Sequence, residues 1–174
     1  MARRQVRSST PLTGVVQIVG VRPTLARTQR AAAVADLRVT FTGGNSGSAV
    51  KATLTVSLNT SLGGTSTARL ADETHASGAA LATRTRNAYV FENVQFPAPG
   101  PVAARVFRIT NIRANASGLA GGSASGATPI QASIAVTGST PIRLSNAEQT
   151  VAVLKPLAAS GTRSTVKRKS PARR

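Results

Sequence analysis

The residues that could carry acid–base or metal chemistry gather in one stretch, "ADETHASGAA" (residues 71–80). Asp72, Glu73 and His75 supply two carboxylates and the single histidine, the groups that proteins use to move protons or to ligate a cation. A catalytic carboxylate pair needs two acids that face one another, whereas adjacent residues of an extended chain point to opposite sides. The stretch is therefore predicted to be a polar loop, and weak cation binding by these three side chains is the alternative.

Other chemical signatures are weak in this sequence. A nucleophilic triad would need His75 together with a serine, but "ASGAA" around Ser77 lacks the first glycine of a G-x-S-x-G turn. The chain has no cysteine, and its glycine clusters lack the Gly-Lys-Ser/Thr ending of a phosphate-binding loop. We predict no catalytic residues, no metal site, no cofactor and no enzymatic activity; a hydrolase with an unrecognised site in residues 71–87 is kept as an alternative.

Arginine recurs along "ARVFRITNIRANASGL" (104–119), which raises the question of a phosphate-binding strand. Residues three apart in a strand lie on opposite faces, so Arg108 should face away from Arg105 and Arg113. A surface that binds single strands would also need aromatic side chains for base stacking, and Phe107 alternates as a core residue. The stretch is predicted to be an ordinary strand with one solvated face.

The elements around these residues are predicted from hydrophobic periodicity. Apolar and polar residues alternate in "LRVTFT", "KATLTVSLN" and "IQASIAVTGS", a pattern typical of strands with one buried face. Glu92 and Asn93 interrupt the alternation of a further strand and predict a bulge. Predicted strands cover residues 13–21, 37–42, 51–59, 68–70, 88–96, 104–112, 130–139 and 148–154. Residues 24–36 favour one or two helical turns, and residues 71–87 a loop with at most one helical turn.

Short strands separated by turn signals predict an all-β fold, an Ig-like antiparallel β-sandwich of about seven or eight strands. Residues 1–30 are assigned to a basic N-terminal arm with one candidate strand at 13–21. Residues 31–157 are assigned to the sandwich, and 158–174 to a basic disordered tail.

The charge of the chain is concentrated at its two ends. The sequence holds 22 Lys and Arg against five Asp and Glu, a net charge of +17. Residues 1–30 and 156–174 contribute +6 each and contain no acid, so the middle is only mildly basic. Cationic segments of this kind attract polyanions without sequence preference.

The sequence also bears on localisation. No apolar run approaches the ~20 residues of a membrane helix, so no membrane span is predicted. The apolar stretch after "MARRQVR" is broken by Pro11 and Gly14, which gives poor support for a signal peptide.

Three stretches resemble a β-rich module of large exported acidobacterial proteins. They are "VTFTGGNSGSAVKATLTVSLNTSL" (39–62), "VFENVQFPAPGPVAARVFRITNIRANASGL" (90–119) and "TPIQASIAVTGSTPIRLSNAEQTVAVLKPL" (128–157). The likeness covers residues 36–157 and rests on the order of these phrases. It implies an extracellular or cell-surface β-sandwich, one unit of a longer protein, and transfers no functional residues.

Two functions follow from these observations. The first is a non-enzymatic structural or adhesion module whose partner is an unknown protein or surface polymer. The second is a polyanion-binding or capsid-type protein that binds nucleic acid non-specifically through its terminal arms. The residues that would do so are Arg3, Arg4, Arg7, Arg163, Lys167, Arg168, Lys169, Arg173 and Arg174.

Overall fold

The computed structural model describes residues 10–75, 79–119 and 127–155, and these residues form an all-β protein. The described chain holds fourteen strands and one 3-10 turn at Ala116–Gly118. Five of the strands are only two residues long, so the long strands define the architecture. In chain order the strands are β1 (Thr13–Val19), β2 (Thr24–Leu25), β3 (Ala32–Ala33), β4 (Asp36–Gly43), β5 (Ala49–Leu58), β6 (Arg69–Asp72), β7 (Ala80–Leu81), β8 (Thr83–Arg84), β9 (Ala88–Pro97), β10 (Gly100–Thr110), β11 (Arg113–Ala114), β12 (Thr128–Gly138), β13 (Arg143–Ser145) and β14 (Glu148–Leu154).

Two six-stranded sheets pack face to face. Sheet one has the order β13-β1-β4-β10-β6-β7, and sheet two has the order β2-β14-β12-β5-β9-β8. The long strands pair antiparallel, whereas the short strands β13 and β2 add in parallel to β1 and β14. A separate two-stranded ribbon joins β11 to β3. The predicted all-β sandwich is therefore confirmed, while its Ig-like character remains a prediction and the strand count exceeds the predicted seven or eight.

The period-two hydropathy explains why these segments are strands. In β4, Leu37, Val39 and Phe41 are buried between the sheets. In β12, Ile130, Ala132 and Ile134 are buried, while the intervening side chains face solvent. A pleated strand places alternate side chains on one face, so each strand contributes one row of apolar side chains to a shared core.

Three phenylalanines join the two sheets at the centre of that core. Phe41 and Phe107 extend from sheet one and Phe96 from sheet two, and all three are at least 95% buried. Their ring centroids lie 4.9 Å (Phe41–Phe96), 5.2 Å (Phe96–Phe107) and 5.8 Å (Phe41–Phe107) apart. These tilted and edge-to-face contacts are favoured by the quadrupole of aromatic rings, so the cluster fixes how the sheets face one another.

The predicted bulge in β9 is confirmed. The register of β9 against β5 shifts between Ala52 and Leu54, opposite Val94 and Phe91. Asn93 lies in this interval with a φ of 54°, in the left-handed region. Asparagine tolerates this conformation better than most residues, which explains how the strand accommodates the extra residue.

The helical turns predicted for residues 24–36 are wrong, because the described residues contain no α-helix. Thr24 and Leu25 pair with β14, and Ala32 and Ala33 pair with β11. Leu25 and Ala32 are buried in the core. Long-range pairing and burial therefore override the helical propensity of alanine and arginine in this segment.

Residues 71–87 also contain more strand than the sequence indicates. β6 ends at Asp72, and the short strands β7 and β8 follow at Ala80–Leu81 and Thr83–Arg84. Two-residue strands lack enough residues for a periodic pattern, so hydropathy alone does not predict them.

Strand β1 is part of sheet one even though it lies within the predicted N-terminal arm. It pairs with β4 along its whole length, and Val16 is fully buried. The proposed boundaries at residues 30 and 157 remain predictions, but any truncation that removes β1 also removes core. No helix among the described residues is long and apolar enough to cross a membrane.

Candidate functional site

Asp72 begins the turn that the sequence singles out for chemistry. Its Oδ1 accepts hydrogen bonds from the backbone amides of Thr74 (2.9 Å) and His75 (3.2 Å). Its Oδ2 accepts a hydrogen bond from Arg105 Nε at 2.7 Å, and the Asp72 side chain is only 4% exposed. A carboxylate that holds a turn and an arginine together has a structural role, which the polar-loop prediction did not specify.

Glu73 points to the other side of the strand, as predicted for adjacent residues. Its Oε2 accepts a hydrogen bond from Arg38 Nε at 3.0 Å, and its Oε1 lies 3.6 Å from Arg108 Nη1. Arg108 also donates to Asp36 Oδ2 through Nη2 at 2.8 Å. The Asp36 carboxylate raises the pKa of Arg108 above its usual value. Two acids thus hold two cross-strand arginines, which would otherwise repel one another.

Asp72, Glu73 and His75 are not brought together as a cation site. Within residues 10–75, 79–119 and 127–155, no three His, Cys, Asp or Glu side chains group closely enough to hold a metal ion. The carboxylates of Asp72 and Glu73 instead contact arginines on opposite faces of sheet one. Ser77, the serine considered for a triad, lies outside the described residues.

The arginines of residues 104–119 do not form one stripe. Arg105 pairs with Asp72 at the inner side of sheet one, and Arg108 lies on the outer side with Asp36, as the spacing predicts. Strand β10 ends at Thr110, and Asn111 takes a left-handed φ of 59°. Arg113 therefore belongs to a different strand, β11, so the common face predicted for Arg105 and Arg113 does not arise along one strand.

The residues proposed to bind nucleic acid through the arms lie outside the described residues. These are Arg3, Arg4, Arg7, Arg163, Lys167, Arg168, Lys169, Arg173 and Arg174.

A second group of arginines, which the sequence interpretation missed, lies at one end of the sandwich. We call this surface the arginine end and define it by residues 26–31, 59–64, 84–87 and 111–119, which carry Arg27, Arg30, Arg84, Arg86 and Arg113. The backbone amide of Leu62 donates to Arg86 O at 2.9 Å, and that of Gly63 donates to Arg113 O at 3.0 Å. Asn115 N donates to Ser61 O (2.9 Å) as a second bond between the same two loops, and Ala116 N donates to Gln29 O (2.8 Å), which joins the fourth loop. Four separate loops are thus cross-linked through their backbones.

Tyr89 supports the arginine end from the core. Its side chain is fully buried. Its hydroxyl oxygen accepts a hydrogen bond from Arg113 N at 3.1 Å, and its O–H donates to Arg113 O at 3.4 Å. The guanidinium carbon of Arg84 lies 5.9 Å from the centroid of the Tyr89 ring. The one tyrosine of the chain therefore fixes the positions of two arginines through hydrogen bonding and a cation–π contact.

The arginine end left a partial signal in the sequence. Residues 84–87, "RTRN", carry two arginines within a predicted loop, and residues 111–119 carry another without any acid. A count of charged residues in each predicted loop would have shown that these two loops are basic. Which connections meet in space depends on the order of strands in the sheets, which hydropathy does not reveal.

No family model matches the sequence, and a search of curated proteins finds no match.

Proposed function

We propose that the chain is a non-enzymatic structural or adhesion module of an exported or cell-surface bacterial protein, built on an Ig-like β-sandwich. The observation that carries the proposal is the set of four loops cross-linked at one end of a tightly packed sandwich. Connecting loops on a rigid scaffold are where β-sandwiches place binding surfaces. The resemblance to exported acidobacterial modules supports the same location.

Arginine–carboxylate pairing supports a role without acid–base chemistry. Three of the five acids in the chain, Asp36, Asp72 and Glu73, contact arginines. The oxygens of these carboxylates are engaged by guanidinium groups and, for Asp72, by turn amides, which is a structural use of an acid. The contacts of Asp36 and Glu73 with Arg38 and Arg108 link neighbouring strands on the outer face of sheet one, which suits a load-bearing or adhesive unit.

The proposal predicts that the protein is accessible on the outside of intact cells. Antibodies raised against the full chain and detected with gold particles should label unpermeabilised cells of the producing organism as strongly as permeabilised ones. An antibody against a cytosolic protein is the control and should label permeabilised cells alone. Labelling of this chain that requires permeabilisation would contradict the proposal.

The second candidate function is polyanion binding or capsid assembly through the terminal arms, supported by the +12 charge that residues 1–30 and 156–174 carry. Its test removes residues 1–9 and 156–174 and keeps β1. Each phosphate contact that is lost lowers the affinity and also reduces its dependence on salt. The trimmed chain should therefore bind a single-stranded oligonucleotide at least about tenfold more weakly at 150 mM NaCl. Undiminished binding by a trimmed chain that retains the β-sheet circular dichroism of the full chain would reject this function.

A further inference from the structure

The arginine end carries an excess of positive charge that its own residues do not neutralise. Residues 26–31, 59–64, 84–87 and 111–119 contain five arginines and no Asp or Glu. Guanidinium groups at this end donate to uncharged oxygens. Arg84 Nη2 lies 3.4 Å from Gly63 O, and Arg113 Nη1 lies 3.3 Å from Ala31 O. Carbonyl oxygens orient a guanidinium without cancelling its charge, so the end keeps a positive potential.

In sheet one, by contrast, three arginines are paired with carboxylates. Arg38, Arg105 and Arg108 each contact at least one carboxylate. At the arginine end, the buried Nε atoms of Arg27 and Arg84 have no acceptor among the described residues. Burying a charged donor without a partner costs free energy, and an anion bound nearby would lower that cost.

A polar pocket opens at the arginine end beside Arg86. It has a volume of about 510 Å³, and its lining includes Asn59, Ser61, Arg86 and Asn87. Amide and hydroxyl groups can both donate and accept hydrogen bonds, which matches the hydroxyl groups of a sugar. Arg86 is exposed at the same pocket and presents a planar donor suited to a sulfate or carboxylate.

The aromatic residues argue against nucleic acid as the partner of this surface. The chain has four phenylalanines, one tyrosine and no tryptophan. All five aromatic side chains, Phe41, Tyr89, Phe91, Phe96 and Phe107, are buried. Binding of unpaired bases relies on exposed aromatic rings for stacking, and this protein exposes none.

We propose that the arginine end binds an anionic polysaccharide, a sugar polymer that carries sulfate or carboxylate groups. Arg30 and Arg86 contact the anionic groups, and the pocket at Asn59, Ser61 and Asn87 binds the neighbouring hydroxyls. This inference names the partner of the adhesion module and rests on that proposed function. It is separate from residues 1–9 and 156–174, because it assigns binding to the folded domain.

The test compares two double variants of the full chain that lose the same charge. Arg30→Ser with Arg86→Ser removes two exposed arginines from the arginine end, and Lys51→Ser with Arg143→Ser removes two exposed cations from the opposite end of the sandwich. Both variants keep residues 1–9 and 156–174 unchanged, so the contribution of these basic segments cancels. Affinity for a fluorescein-labelled heparin dodecasaccharide and for a labelled dT12 oligonucleotide is measured by anisotropy at 150 mM NaCl.

We expect the first variant to bind heparin about threefold to tenfold more weakly, the scale of two lost charge-assisted contacts, and the second less than about twofold more weakly. Binding of dT12 should fall by the same small factor in both variants. Equal losses for heparin, or no loss in either variant, would overturn the proposal. A larger loss for dT12 than for heparin would reject the polysaccharide in favour of nucleic acid.

The outcome is distinguishable from failure of the proposed function. Gold labelling that is confined to permeabilised cells would reject the cell-surface location, whereas the heparin comparison measures the site itself. Thermal unfolding of both variants, followed by circular dichroism, should give midpoints within about 3 °C of the parent, because exposed arginines contribute little to stability.

Discussion

Replacement of Phe96 by alanine is expected to lower the free energy of unfolding by about 3–5 kcal/mol, the range measured for large aromatic residues in cores. Phe96 is 1% exposed, and its ring packs against those of Phe41 and Phe107 on the facing sheet. The truncation removes apolar contacts and leaves a cavity between the sheets, which the paired strands can fill only in part by moving toward each other. Urea unfolding followed by circular dichroism at 218 nm measures the change.

Val102→Ala is the matched control for Phe96→Ala. Val102 is 98% exposed in the irregular stretch at the start of β10, so its truncation should change stability by less than about 0.5 kcal/mol. A loss below about 1 kcal/mol for Phe96→Ala would mean that the three-ring cluster does not join the sheets.

Replacement of Gly63 by alanine is expected to cost about 2–3 kcal/mol, a typical penalty for overpacking. A Cβ atom at this position would lie 2.5 Å from Arg30 O, 2.6 Å from Ala114 O and 2.6 Å from the Cα of Ala31. All three are backbone atoms, so no side-chain rotation relieves the clash, and the loops on either side must separate. Hydrogen exchange should show faster exchange of the Leu62 and Gly63 amides, with little change in the amides of β5 and β12.

Gly47→Ala controls for the general effect of adding a methyl group to a glycine. Nothing lies within 4 Å of a Cβ there, although its φ of +83° adds some strain. The exchange rates of Leu62 and Gly63 should be unchanged in this variant. Unaltered exchange of these amides in Gly63→Ala would show that the arginine end does not depend on the close approach of its loops.

The sequence predicted well the strands whose own residues alternate between apolar and polar. β4 and β12 alternate apolar and polar residues, and the structure buries the apolar set of each. The bulge at Asn93 was predicted from the interruption of the same pattern. Period-two hydropathy is a local property of the sequence, so it identifies a strand without knowledge of the strands that pair with it.

The remaining features depend on partners that are distant in the sequence. Leu25 is a strand residue because Leu154 lies beside it, and Arg113 meets Gly63 because Leu62 forms an antiparallel bridge with Ala114. The pairing of Asp72 with Arg105 also spans 33 residues. Neither propensity nor motif identifies such contacts, which explains why the arginine end appeared only in three dimensions.

The bulge in β9 also bears on the exposed margin of sheet two. No strand of the described residues pairs with the outer side of β9 beyond Val90, so part of one sheet margin is open. An open margin invites a neighbouring molecule to add a strand and start an aggregate. The negative charge of Glu92, the kink at Asn93 and the missing amide hydrogen of Pro97 each disfavour such addition. Together these three features oppose strand addition by a neighbouring molecule along this margin.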